Sequence, residues 1–76
     1  MALSVCVAPA DDGWAVSSSA LEAPMFFRSG GKAEAVGRQL AQALARRGEV
    51  AELVIVVRDG TIAGRFPFPA PAQGAV

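Results

Sequence analysis

Apolar residues in this chain form short runs that are separated by turn-forming residues, and one longer segment carries them at helical spacing. The longest unbroken apolar run spans 53–57, and Arg-Asp-Gly at 58–60 follows it before another β-rich run. Asp-Gly between two such runs predicts a tight hairpin with a type I′ turn, because that turn needs positive φ at both central residues. The pattern therefore predicts two consecutive strands, over about 51–57 and 61–66.

Two further strands are predicted near the start of the chain. The run 3–7 favours extended structure, and Pro-Ala-Asp-Asp-Gly at 9–13 is typical of a turn. Residues 14–17 then return as the second strand of a hairpin. We expect Met25–Arg28 to be an extended segment packed against the helix start. A continuation of the second strand after a bulge, or an end-on cap of the core, is the alternative.

A single helix is predicted from about Gly31 to Arg47. Gly48 follows it, and we expect this glycine to end the helix in the left-handed conformation. At about 100° per residue, the apolar positions form one stripe wide enough to pack on a sheet. The predicted stripe contains Ala33, Val36, Gly37, Leu40, Ala43 and Leu44, with Ala41 at its margin.

These elements predict an α+β domain with the order strand, strand, helix, strand, strand. Its four-stranded, mainly antiparallel sheet carries the helix on one face. Placing the third strand beside the first gives an all-antiparallel sheet in the order 2-1-3-4, and a parallel contact between strands two and three gives 1-2-3-4. Pro67, Pro69 and Pro71 remove ladder donors, so the fourth strand should lie at a sheet edge. The domain covers residues 1–69, and 70–76 are expected to form a flexible tail.

The unbroken run 53–57 also predicts an interface. A strand with a helix on one face and water on the other normally alternates apolar and polar residues, and this strand does not. Alternate residues of the run point to opposite faces, so one set should pack on the helix and the other would be exposed, which soluble monomers tend to avoid. We therefore predict a homodimer formed through the sheet. The candidate self-association residues are Leu53, Val54, Ile55, Val56 and Val57.

Composition narrows the possible functions. The chain has 76 residues, 53% hydrophobic and 18% charged, which describes one globular domain at the small end of what folds alone. Its net charge of zero differs from the basic excess that a nucleic-acid-binding domain of this size normally carries. No apolar stretch approaches the ~20 residues that span a bilayer. We expect a cytoplasmic protein that does not bind membranes.

Few residues offer catalytic chemistry. The chain has no histidine and one cysteine, Cys6, which excludes imidazole catalysis and a cysteine-based zinc cluster. The adjacent Asp11 and Asp12 are explained by a turn, as is Asp59 before Gly60. Gly-Gly at 30–31 lacks the spacing of a phosphate-binding loop. We expect no enzymatic activity, no cofactor and no metal.

A basic helix surface provides the alternative function, which is binding of nucleic acid or of an acidic partner. Arg38 and Arg46 share one helix face and Arg47 follows, while Arg28 and Lys32 lie near the helix start. Each also has an ordinary role: Glu34 precedes Arg38 by one turn, and cations in the last turn complement the helix dipole.

Three aromatic residues complete the candidate partner-facing set. Trp14 is predicted either to anchor the core under the helix or to lie exposed at an interface. Phe66 and Phe68 are two residues apart, so they share a face if they lie on a strand. They either close the open end of the core or present an apolar edge to a partner.

Hairpin and helix signals recur in four segments of the chain: Asp12–Val16, Lys32–Ala35, Ala45–Gly48 and Ala51–Ile62. Together these segments resemble a widespread family of small bacterial domains of unknown function (domain of unknown function 2188). The resemblance covers most of 12–62 and supports the predicted fold, but the family has no established activity. Where Gly31 stands, the family usually has a Thr or Ser N-cap, so Glu34 is expected to reach back to the cap amide instead.

Overall fold

The structure, a computed structural model, describes residues 2–68, which form five strands and one helix. The predicted α+β class with one helix is confirmed, but the sheet has five strands instead of four and is mixed. Residue 69 and the predicted tail over 70–76 lie outside the described residues. The elements are β1 (Ala2–Ala10), β2 (Gly13–Ser18), β3 (Met25–Phe27), α1 (Gly30–Arg46), β4 (Val50–Val56) and β5 (Ile62–Phe68).

The sheet order is β3-β2-β1-β4-β5, and the central strand β1 runs parallel to its neighbour β4. The neighbours β2-β1-β4-β5 are those of the first predicted order. The predicted antiparallel contact between β1 and β4 is wrong, since Val5 pairs with Leu53, and Val7 with Ile55, in a parallel ladder. The other three contacts in the sheet are antiparallel.

An unpredicted reversal after β2 explains the parallel direction. Residues 25–27 are extended and contact α1, as predicted, but they fold back on β2 as a separate strand with Trp14 opposite Phe27. This additional hairpin reverses the chain once more before the helix. The helix therefore begins at the opposite end of the sheet from the one that four strands imply, and β4 enters parallel to β1.

The two long hairpins close with different loops. The turn predicted within 9–13 is present as a two-residue loop, Asp11 and Asp12, between the paired residues Ala10 and Gly13. The predicted type I′ turn after β4 is wrong, because Gly60 has a φ of 88° while Asp59 has a negative φ. The Gly60 amide donates to the Val57 carbonyl and the Val57 amide donates to the Thr61 carbonyl, which gives a three-residue loop with a left-handed glycine.

Both helix ends are capped, but the N-cap differs from the expected one. Ser29, not Gly31, is the N-cap, and its hydroxyl accepts a hydrogen bond from the Lys32 amide at 3.3 Å. At the other end, Gly48 has a φ of 90°, as predicted. Its amide donates to the Ala45 carbonyl and the Glu49 amide donates to the Leu44 carbonyl, which is the Schellman arrangement.

The helix packs on the sheet through a stripe of small residues. Ala43, predicted on the buried stripe, is exposed, whereas Ala45 is buried, and Ala41 is fully buried instead of marginal. A Cβ added at Gly37 would lie 2.9 Å from Val7 Cγ2 and 3.1 Å from Leu53 Cδ1. Apart from Leu44, the residues of α1 that are buried against the sheet are alanine and glycine, which allow a close approach.

The core between α1 and the sheet contains few large side chains. The largest fully buried ones are Leu53, Val5, Val7 and Val16. Half-buried residues surround them and extend the apolar contact toward the edges of the sheet: Leu3, Trp14, Met25, Phe27, Leu40, Ile55 and Phe68. The hydrophobic gain from this core is correspondingly small for a chain of this length.

We expect Gly37→Val to destabilise the fold by about 1–3 kcal/mol, because the new side chain overlaps Val7 and Leu53 in a packed core. Gly31→Val is the matched control, since Gly31 is exposed and a Cβ added there would lie 3.6 Å from Ser29 Oγ, an ordinary contact. It should change stability by about 0.5 kcal/mol or less. Urea unfolding followed by circular dichroism measures both variants, and equal midpoints would contradict the close packing.

Candidate functional site

The sheet has a second face, turned away from α1, which we call the outer face. Val5 and Val7 point toward the helix, so the alternate residues Cys6 and Ala8 of β1 point outward. Cross-strand register then assigns the outward positions of the other strands. The outer face contains Ser4, Cys6, Ala8, Ala10, Ala15, Ser17, Phe26, Val50, Glu52, Val54, Val56, Ile62, Arg65 and Pro67.

The outer face is mostly apolar. Its middle carries small or medium side chains that are half-buried by their neighbours in the sheet, including Cys6, Ala8 and Val54. Two large apolar side chains lie at its opposite edges, with 69% of Phe26 and 48% of Ile62 exposed. In the part of the chain that the structure describes, no element covers this face.

One ion pair provides the two charged side chains of the outer face. Arg65 Nη1 lies 2.7 Å from Glu52 Oε1, between β5 and β4. Both groups are partly solvated, so the pair contributes at most about 1 kcal/mol to stability. Its main effect is that the outer face carries no net charge.

The structure divides the predicted self-association residues between two faces. Leu53 is fully buried against the helix, and Ile55 packs against the same core, so neither belongs to the outer face. Val54 and Val56 point outward. Val57 lies beyond the end of β4, in the loop before Thr61.

All three candidate aromatic residues are on the helix side of the sheet. Trp14 is half-buried, packs against the core and lies next to Gly30 at the helix start. Phe68 also packs against the core. Phe66 is 37% exposed, and the Arg38 guanidinium lies over its ring at 4.7 Å from the centroid.

Phe26 is the most exposed large apolar side chain in residues 2–68, and sequence reasoning did not include it among the candidates. The only signal was the pair Phe26-Phe27 in an extended segment, since adjacent strand residues must point to opposite faces. That signal becomes useful only when residues 25–27 are recognised as a separate strand.

The basic candidates do not form one patch. Arg38 donates two hydrogen bonds to Glu34 Oε2, at 3.0 and 3.1 Å, and stacks on Phe66. Lys32 and Arg46 are exposed near opposite ends of α1, about 21 Å apart along the axis at ~1.5 Å per residue. Arg28 precedes the helix and Arg47 follows it, so they extend this separation.

A shallow cleft lies beside the β1–β2 loop, with a volume of about 390 Å³. It is lined by the loop itself, by Trp14, and by the end of β3 with Arg28. Asp11 and Asp12 are exposed at its rim. The cleft is open and its charged groups are solvated, so it provides none of the enclosed, desolvated positions that acid–base catalysis uses.

Other functional features are few within residues 2–68. No three acidic, cysteine or histidine side chains come together there as metal ligands. Every buried side-chain nitrogen or oxygen in this part of the chain has a hydrogen-bond partner. The helix that the structure describes is not long and apolar enough to cross a membrane.

Comparison with protein-family models, with curated proteins and with solved structures finds no match to this chain. The resemblance to the family of small bacterial domains therefore stays a prediction.

Asp59 is the titratable group whose environment changes its pKa most clearly. Its Oδ1 accepts a hydrogen bond from the Thr61 hydroxyl at 2.6 Å and another from the Thr61 amide at 2.9 Å. Both bonds favour the carboxylate and hold the pKa of Asp59 below its usual value. This contact stabilises the β4–β5 loop and does not indicate catalysis.

We expect Thr61→Val to raise the pKa of Asp59 part of the way toward its usual value, because the hydrogen bond from the hydroxyl is lost while the one from the amide remains. A lowered folded-state pKa stabilises the protein above the unfolded-state value of about 3.9, and this contribution disappears as the pH falls through the folded-state value. Carboxyl-carbon NMR titration measures the change. Thr61→Ser, the control, should keep the lowered pKa, and an unchanged Asp59 in Thr61→Val would contradict the assignment.

Proposed function

We propose that this protein is a non-enzymatic interaction module that forms a homodimer through the outer face of its sheet. The observation that carries the proposal is the character of that face: mostly apolar, without net charge, and bordered by the exposed side chains of Phe26 and Ile62. In a sheet with one solvated face, each strand normally places polar residues on that face and apolar residues on the other. A cytoplasmic location is part of the proposal, since Cys6 would stay reduced there.

The small core supports self-association. One helix covers one side of the sheet, and its contact is made largely by alanine and glycine. A domain of this size buries a smaller fraction of its surface than a larger one does. Pairing of two outer faces would add buried apolar area where the monomer has none, and would stabilise the folded state by mass action.

Face-to-face contact is favoured over pairing through the sheet edges. The β5 edge carries Pro67, which has no amide hydrogen to donate to another strand. The β3 edge is only three residues long. Short edges and edge prolines are features by which proteins avoid edge pairing.

The outer face is large enough for a reversible dimer. Five strands at about 4.8 Å spacing and about six residue steps along β1 give a plane of roughly 19 by 20 Å. That plane covers about 380 Å², roughly half of the ~800 Å² per partner in a standard interface, and the side chains above it add to this area, which is the size of a weak contact. A dimer whose population changes with concentration is therefore expected.

Nucleic-acid or acidic-partner binding has weaker support from the geometry. Such binding uses several cations that act together on adjacent phosphates or carboxylates. Here Arg38 is engaged by Glu34 and Phe66, and the remaining helix cations lie at opposite ends of α1. Binding that falls steeply with salt would be its signature.

The adjacent residues Leu53 and Val54 provide the test of the proposal. Val54→Glu should give a folded monomer, because it places a carboxylate in the outer face opposite Arg65, where the fold tolerates it. Leu53→Glu should unfold the chain, because it places the same carboxylate in the fully buried core. Light scattering over a hundredfold concentration range measures the mass, and circular dichroism measures folding.

Ala35→Glu is the matched control, since it adds the same charge on the exposed side of α1. It should dimerise as the unmodified chain does. A monomeric unmodified chain at every concentration, or a Val54→Glu variant that still dimerises, would reject the outer face as the interface.

A further inference from the structure

We infer that the two-fold axis of this dimer runs along the central strand β1, so that Phe26 of one copy packs on Ile62 of its partner. The inference rests on the proposed homodimer and specifies its geometry. Stacked sheets with aligned strands admit two in-plane two-fold axes, one along the strands and one across them. The register and charges of the outer face distinguish these two axes.

Phe26 and Ile62 lie at the two ends of one row across the sheet. Phe26 is opposite Ala15, Ala15 is opposite Ala8, and Val56 is opposite Ile62. Continuing the pairing of Val7 with Ile55 by one residue places Ala8 beside Val56 and closes the row. The row therefore has large side chains at both ends and small ones in the middle.

An axis along β1 exchanges the two ends of this row and leaves every row at the same position along the strands. Phe26 then faces the partner's Ile62, and Ala15 faces the partner's Val56. All rows of the two outer faces overlap. Exposed apolar area is buried at both edges without a shift of one sheet along the other.

An axis across the strands cannot both bury Phe26 against the partner and keep all rows of the two outer faces in contact. The row of Phe26 and Ile62 lies toward the loop end of the sheet, two residues beyond the row of Cys6. An axis through Phe26 would leave the other end of each sheet without a partner. An axis through the Cys6 row would separate Phe26 from any large apolar side chain.

The position of Arg65 also favours the axis along β1. Val54 joins Cys6 to Arg65 in one row, so an axis across the strands through that row places Arg65 directly over Arg65 of the partner. Like charges that face each other in an interface are destabilising. An axis along β1 instead places Arg65 toward the partner's loop between β2 and β3, whose charged residue is Glu22.

Cysteine cross-linking tests the axis, in a Cys6→Ser background. Phe26→Cys and Ile62→Cys chains, one of them isotope-labelled, are mixed and treated with a bismaleimide that reaches about the 10 Å between stacked sheets. An axis along β1 predicts a labelled–unlabelled cross-link in the mixture and little cross-linking of either variant alone. In that geometry two Phe26 positions lie about 19 Å apart sideways, since four strand spacings separate the edges.

Other outcomes overturn the inference in distinguishable ways. Self-cross-linking of Phe26→Cys alone indicates an axis across the strands through its own row, and dimers that give no cross-link indicate another axis or another contact. If these substitutions weaken the dimer, Ala15→Cys with Val56→Cys tests the same axis nearer its centre, with the same expected pairing. A monomeric unmodified chain rejects the proposed function itself, whereas a dimer with the wrong cross-links rejects only the axis.

Discussion

The structure depends on how closely α1 approaches the parallel pair β1 and β4. At Gly37 the helix backbone comes so near the sheet that a single added carbon would overlap Val7. Close approach increases the number of dispersion contacts that each small residue makes, which compensates in part for the lack of large side chains. The same contact limits the core, because one helix with an alanine and glycine surface buries little apolar area. The thin core and the unpaired outer face thus share one cause.

The second constraint is the direction in which the chain reaches the helix. The three residues of β3 reverse the chain once more, so the helix crosses back and delivers β4 parallel to β1. β1 therefore lies in the centre of the sheet, with two strands on each side. The same reversal places Phe26 at one edge of the outer face, at the level of Ile62 on the other edge. A short strand accordingly determines both the topology and the shape of the candidate site.

Local signals in the sequence were sufficient for the helix, its C-terminal glycine and the positions of both long hairpins. Prediction failed where the outcome depends on packing between distant segments. The predicted stripe correctly contains Gly37 and Leu44, but packing against the sheet also buries Ala41 and Ala45 and leaves Ala43 exposed. Ser29 became the cap because the helix starts one residue earlier than its apolar pattern. The loop at Asp59 is stabilised by a side-chain contact to Thr61 that dipeptide statistics do not contain.

For a related reason, only the apolar character of the outer face could be predicted, and not which residues lie on it. Alternation along 53–57 showed that two faces are apolar, but which set meets the helix depends on the direction and register of β4. The contributions of Cys6, Ala8, Ala15 and Phe26 required the full strand order. Apart from Phe26, these side chains are too small to form a core of their own, and all four are too apolar to suit a solvated face. A surface with that composition is well suited to a reversible contact, because it gains from burial without making the monomer dependent on it.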